Sequence, residues 1–177
     1  MKFLVSSILL LAALLSGSHA QQGGPGGSNP DNKSDKTPYV GLRHGDDLPR
    51  GLKWVGGALL SDPYKKDEKQ YGVTQVMKAQ SNMIWLERLT HNDPAGKAHW
   101  ETRDVLFLPV IRKNQLLFYV DCFLNDKPDP ELVVIVDNIV RGGYYATARS
   151  AWRANRQTEL FEPLAPKGIK CVAQGDD

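Results

Sequence analysis

Five acid–base side chains crowd one stretch of this 177-residue chain: His91, Asp93, His99, Glu101 and Asp104. A histidine beside a carboxylate is a pairing suited to general acid–base catalysis, because imidazole titrates near neutral pH. On a regular strand, alternate side chains point to opposite faces. His99 and Glu101 then share a face from which Asp104 is excluded, so the three do not form one catalytic set. His99 with Glu101 remains a weak acid–base candidate, set against the ordinary reading of the solvated half of an edge strand. Asp104 is the odder residue, because it shares its face with Trp100, Thr102, Leu106 and Leu108. A carboxylate in an apolar layer must meet an arginine, backbone N–H groups or water in a cleft. A structural anchor is the favoured role, ahead of a functional carboxylate or a bulge that turns the side chain outward.

Two further groups carry charge or metal-binding potential. Arg149, Arg153 and Arg156 fall at i, i+4 and i+7, so on a helix they make a basic stripe that could dock an acidic ligand or protein. Such stripes are more often solvated faces, and Glu159 and Glu162 are near enough in sequence to pair with this one. His44, Asp46 and Asp47 include metal-ligand types, but no second ligand cluster accompanies them at metal-site spacing. They read as a turn, and neither a metal nor a cofactor is implied.

The two cysteines, Cys122 and Cys171, both lie in apolar β-prone runs. In an exported chain they are expected to form one disulfide, which the loop-entropy account values at about 4 kcal/mol. Cys122 has Asp121 beside it and apolar neighbours on its own face, a setting that disfavours a reactive thiolate. Nucleophile elbows, phosphate-binding glycine loops, paired CxxC units, HExxH and EF-hand loops do not occur, and no repeat of fixed period is visible.

The elements that position these residues centre on 98–137. Three apolar, β-prone runs are separated by short breaks rich in Pro, Asn, Asp, Lys and Arg, as three consecutive antiparallel strands would be. Leu132 to Val136 is apolar on both faces, which suits an interior strand covered on both sides. Ahead of this centre, Ser61-Asp62-Pro63 is a helix-start signal. Tyr64 to roughly Thr90 then carries an apolar stripe at helical spacing, with Gly72 as the weak point. Tyr144 to about Arg156 reads as a second helix, with Tyr145, Ala148, Ala151 and Trp152 facing inward. Residues 168–173 make a short last strand, and 39–60 an irregular arm across the domain.

The chain opens with a secretory signal pattern. Lys2 precedes an apolar run from Phe3 to Leu15, and Ser18 and Ala20 supply the small residues for cleavage after Ala20. The run is shorter than the roughly 20 residues a membrane span needs. Residues 21–38, without an aliphatic or aromatic side chain, read as a disordered tether. They include Asn32-Lys33-Ser34, a match to the N-glycosylation pattern that chance also explains. Lysine and arginine total 22 against 20 acidic residues. So even a balance makes no electrostatic case for nucleic acid or an acidic membrane surface as partner.

The sequence therefore predicts residues 1–20 as leader, 21–38 as tether and 39–177 as one α+β domain. Its antiparallel sheet has three or four strands, a meander plus the C-terminal strand, covered by two helices and closed by Cys122–Cys171. The expected function is that of an exported, non-enzymatic binding or accessory protein of the cell envelope or extracellular space. It would act on a protein or envelope ligand that the sequence leaves unidentified, with no transmembrane segment in the mature chain. A small secreted hydrolase using residues 91–104 is the alternative, and an inhibitor or docking protein using the arginine stripe is a third.

Overall fold

The computed structural model describes residues 36–60 and 69–173. The leader, residues 21–35 of the tether, the helix-start signal at 61–63 and residues 174–177 lie outside the described residues. Lys36, assigned to the tether, belongs to the fold: its ammonium group meets Asp104.

Within the described residues every regular element is a β-strand. An entry arm carries β1 (Arg43–His44) and leads into the edge strand β2 (Lys53–Leu59). β3 (Tyr71–Lys78), β4 (Ser81–Asn92) and β5 (Ala98–Phe107) complete a first antiparallel sheet in the order β1-β5-β4-β3-β2. The chain continues through β6 (Gln115–Tyr119), β7 (Cys122–Leu124), β8 (Lys127–Pro128), β9 (Leu132–Asp137) and β10 (Val140–Arg141). It finishes with β11 (Tyr144–Tyr145), β12 (Ala148–Asn155), β13 (Leu160–Leu164) and β14 (Ile169–Val172). A second sheet runs β13-β12-β9-β6 and a third β10-β11-β14-β7-β8, both antiparallel.

The second sheet is the middle layer. Val133 and Ala154 pack against Leu60, Tyr71, Val73, Ile84, Leu86 and Leu106 of the first sheet and its edge. From its other face Leu132, Val134, Val136 and Ala151 pack against Cys122, Ile169 and Cys171 of the third. β9 is buried along its whole length, as its two apolar faces require. A third apolar cluster lies on the far side of the first sheet, where Tyr39, Leu42, Leu48 and Leu52 of the arm cover Val76, Met83, Trp85 and Val105.

Among the described residues the architecture is all-β: neither 69–90 of the first expected helix nor any part of the second is helical. Residues 71–92 form a hairpin in which Lys78 pairs with Ser81, leaving Ala79 and Gln80 as the turn. Both faces of this hairpin are covered, so Val73, Val76, Ile84, Trp85 and Leu86 are all buried. Two-sided burial removes the polar–apolar alternation of a half-exposed strand, and the remaining apolar positions coincide with helical spacing. The turn gives no warning either, because Ala79 takes φ 52° where Gly, Asn or Asp is the usual signal. The second expected helix is β11 and β12, with β12 hydrogen-bonded between β9 and β13. Its alanines favour a helix intrinsically, but pairing on both sides overrides that preference.

The expected meander is also dispersed. β5 belongs to the first sheet, and the second run divides at Val120, whose φ of 80° ends β6. β6 joins the middle sheet through β9, while β7 pairs with β14 in the third.

Cys122 and Cys171 stand directly opposite each other on β7 and β14 and are disulfide-bonded, 49 residues apart in sequence. The bond ties the short C-terminal strand to a sheet whose strands number two to four residues. Replacing both residues (Cys122→Ala with Cys171→Ala) is expected to lower unfolding stability by about 2–4 kcal/mol. Denaturant titration of the two proteins measures the difference, and an unchanged midpoint and slope would contradict this role.

Candidate functional site

The first sheet changes parity in β5. Leu86 pairs with Asp104 but Glu87 pairs with Thr102, so Arg103 is an extra, bulged residue. Beyond the bulge, Val105 joins the cluster under the arm, and Leu106 the cluster facing the middle sheet. Asp104 therefore shares the inter-sheet side with Glu101, contrary to the alternation of an unbulged strand, and both meet partners there.

Asp104 is 4% exposed. One carboxylate oxygen accepts from Lys36 Nζ at 3.0 Å and the other from the backbone N–H of Phe161 at 2.8 Å. The residue thus clips β13, the edge of the middle sheet, to β5. Glu101 is held by Arg103 at 2.5 Å and more loosely by Arg43 and Arg88 at 3.5 Å each. Burial alone would raise its pKa, but the charge and hydrogen bond of Arg103, with Arg43 and Arg88, bring it below the usual carboxylate value. Glu159, in the β12–β13 turn, accepts from Arg103 at 2.6 Å, Tyr71 at 2.9 Å and Arg88 at 3.0 Å. There too burial is outweighed, by hydrogen bonds from Tyr71 and Arg103. His99 lies apart, stacked on His91 with ring centroids 4.5 Å apart and 3.6 Å from Asp93. The structure thus separates His99 from Glu101 and Asp104 and surrounds the two carboxylates with donors.

The three arginines share no helix. Arg149 and Arg153 lie on β12 and Arg156 follows its end. Each meets its own carboxylate: Arg149 the 6%-exposed Asp137, Arg153 Asp129, and Arg156 Glu131. A cavity of about 400 Å³ adjoins the first of these pairs, lined by Arg112, Asn114, Gln115, Asp137 and Arg149 among others.

The more distinctive site lies on the outer face of the first sheet, beside the arm. Two adjoining cavities of about 350 and 320 Å³ share Trp54, Thr74, Glu87 and Trp100. Trp54 comes from edge strand β2 and is 61% exposed. Trp100 comes from β5, opposite His44 of β1. Gly57 and Gly72 line the groove without side chains; a Cβ on Gly57 would stand 3.0 Å from the Val73 carbonyl oxygen, and one on Gly72 3.3 Å from the Ala58 carbonyl oxygen and 3.6 Å from the Trp100 ring.

Glu87, only 2% exposed, sits in this groove with both oxygens engaged. One accepts from Thr74 Oγ1 at 2.5 Å, and His44 Nε2 is 2.5 Å from the other. His44 Nδ1 lies 2.8 Å from the Gly45 carbonyl oxygen. Both ring nitrogens therefore face acceptors, an arrangement that calls for a doubly protonated imidazolium. Burial opposes that charge, but the hydrogen bond and charge of Glu87, with the Gly45 carbonyl, outweigh it and raise the pKa above the ordinary 6.5.

The sequence groups His44 only with Asp46 and Asp47. The structure sends Asp46 to Lys97 at 3.3 Å and leaves Asp47 exposed. Among the described residues no group of three or more His, Cys, Asp and Glu side chains has an arrangement that could hold a metal ion. Glu87, Thr74, Trp54 and Trp100 were not read as a site, because the first two were placed on a helix. Recognition of the 71–92 hairpin puts Thr74 and Glu87 on one face, two strands and one strand from Trp100 respectively.

No protein family, curated protein or solved structure matches this chain. The disulfide, together with the absence among the described residues of any helix long and apolar enough to cross a membrane, is compatible with an extracellular or periplasmic location.

Two outcomes test these assignments. Asp104→Ala strands the Phe161 N–H and the Lys36 ammonium, and is expected to cost about 1–3 kcal/mol in denaturant titration. For His44 the raised pKa fixes the sign: its stabilising contribution is complete below 6.5 and is lost as pH rises through the folded-state value. The stability advantage of wild type over His44→Gln should accordingly shrink as pH increases above 6.5, measured by parallel unfolding curves. An advantage that grows with pH would contradict the imidazolium–carboxylate pair.

Proposed function

We propose that this is an exported binding protein that holds a small ligand in the Trp54–Trp100 groove without reacting with it. The observation that carries the reading is the composition of the groove: two indole side chains beside polar groups that are already bonded to one another. Binding pockets are mostly apolar and aromatic, with a few fixed polar groups that orient the ligand. Glu87 and His44 hold each other, and Thr74 donates its proton to Glu87, so no lining side chain is poised as a nucleophile with a free base beside it. Export rests on the leader pattern of residues 1–20 with its cut after Ala20, and on the oxidised cysteine pair.

Mass spectrometry of the secreted protein should give a chain beginning at Gln21 with two hydrogens fewer than the reduced form. In a small-fragment screen followed by two-dimensional NMR, hits should perturb the indole N–H signals of Trp54 and Trp100. Hits confined to the cavity beside Arg112 and Arg149 would reject the groove as the site.

A further inference from the structure

Resting on that reading of the groove, we infer that its ligand is a neutral saccharide, stacked by the C–H face of its ring on Trp54 and Trp100 and donating hydroxyl hydrogen bonds to Thr74 and Glu87. The donor–acceptor inventory points this way. Thr74 Oγ1 spends its only proton on Glu87, so toward a ligand it can only accept. Glu87 is acceptor-only when ionised, and each oxygen keeps a lone pair beyond the one it uses internally. Both His44 nitrogens are directed at protein acceptors. Apart from the indole N–H groups, the polar side chains that line the groove among the described residues offer acceptors, which calls for a ligand that brings donors.

Charge then separates the two donor-rich classes, hydroxyls and cations. A cation over tryptophan faces is a favourable pairing in general. Here each lining carboxylate already has a cationic partner, Glu87 in His44 and Asp46 in Lys97. A ligand cation would have to approach the His44 imidazolium or displace it from Glu87, whereas hydroxyl groups add to the pair without breaking it. For an anion, no lysine or arginine among the described residues lines either cavity. What remains suits a ligand with an apolar ring face and several O–H donors. Tryptophan supplies a broad, rigid contact area for such a face, and weak C–H contacts add to it.

The test is titration of the disulfide-bonded mature protein, followed by intrinsic tryptophan fluorescence and by the indole N–H signals. The probes are glucose-, N-acetylglucosamine-, galactose- and mannose-based trisaccharides, each to 10 mM, with tetramethylammonium chloride as the cationic probe. At least one trisaccharide is expected to bind with a shift of the Trp54 indole signal. Its affinity should change less than twofold between low and high salt, and should fall at least tenfold in Trp54→Ala. Trp54 is largely exposed, so its removal spares the core, and Val110→Ala, 91% exposed beside the other cavity, serves as the unaffected control. If tetramethylammonium shifts the indole signals and no trisaccharide does, the ligand class is overturned while the groove stands. If a trisaccharide binds equally well to Trp54→Ala, both the class and the groove fall. No response to any of the four trisaccharides also overturns the class.

Discussion

The constraint on which this fold depends is a strand that cannot be left half in water. Leu132 to Val136 is aliphatic at every position, so covering one side of β9 leaves the other exposed. Burying both requires layers above and below, and the chain supplies them from two separate antiparallel sheets. At roughly 25 cal/mol per Å² of apolar surface removed from water, five such side chains supply several kcal/mol. That is a large part of the net stability typical of a domain this size. The third layer is thin, built from strands of two to four residues, and it is there that the disulfide lies. The first sheet is broad, and its strands can extend past the zone of contact with the middle layer. Its far face is consequently available to the arm and the groove.

Apolar contact does not fix how the sheets sit on one another, because it is non-directional. Direction comes from the ionic cluster at the margin between the first and middle layers. Asp104 accepts from the Phe161 backbone, and Glu159 gathers Tyr71, Arg88 and Arg103 from three strands of the opposite sheet. Desolvating these carboxylates is unfavourable, and burial pushes the Glu159 pKa upward. Several charge-assisted hydrogen bonds per carboxylate reverse that balance. The bulge at Arg103 makes the arrangement work, since it brings Glu101, Arg103 and Asp104 to one side while returning Val105 to the arm.

What could be read from the sequence follows directly from these forces. The apolar run of β9, the cysteine pair and the exceptional position of Asp104 were legible, because each depends on residue type more than on neighbours in space. The hairpin of β3 and β4 was not. Covered by the middle sheet on one side and by the arm on the other, it has buried residues on both faces and mimics helical spacing. Its turn carries Ala79 at positive φ, so the usual chemical mark of a turn is missing. The loss had consequences for the candidate site, since Thr74 and Glu87 became a site only once they lay on adjacent strands. Likewise a single bulged residue was enough to place Asp104 and Glu101 on opposite faces in the reading and on one face in the molecule. Alternation carries no trace of an inserted residue unless the apolar pattern shifts with it, and 100–108 mixes polar and apolar residues on both faces.

The arm explains why one face of the first sheet can be both sealed and open. Tyr39, Leu42, Leu48 and Leu52 cover the part built from Val76, Met83, Trp85 and Val105. His44 then leaves β1 sideways into the sheet and reaches Glu87 across the rim of Trp85, whose ring centroid is 5.8 Å from its own. The uncovered remainder has a glycine at 57 and at 72, two tryptophans at its sides, and a buried carboxylate that the arm itself neutralises. Were His44 absent, the Glu87 carboxylate would be buried beside the groove without its cationic partner, which favours a cationic occupant. With His44 in place the same carboxylate is a neutral-pair acceptor. One residue of the arm thereby sets the charge the groove presents, and with it the chemistry of what the two tryptophans can hold.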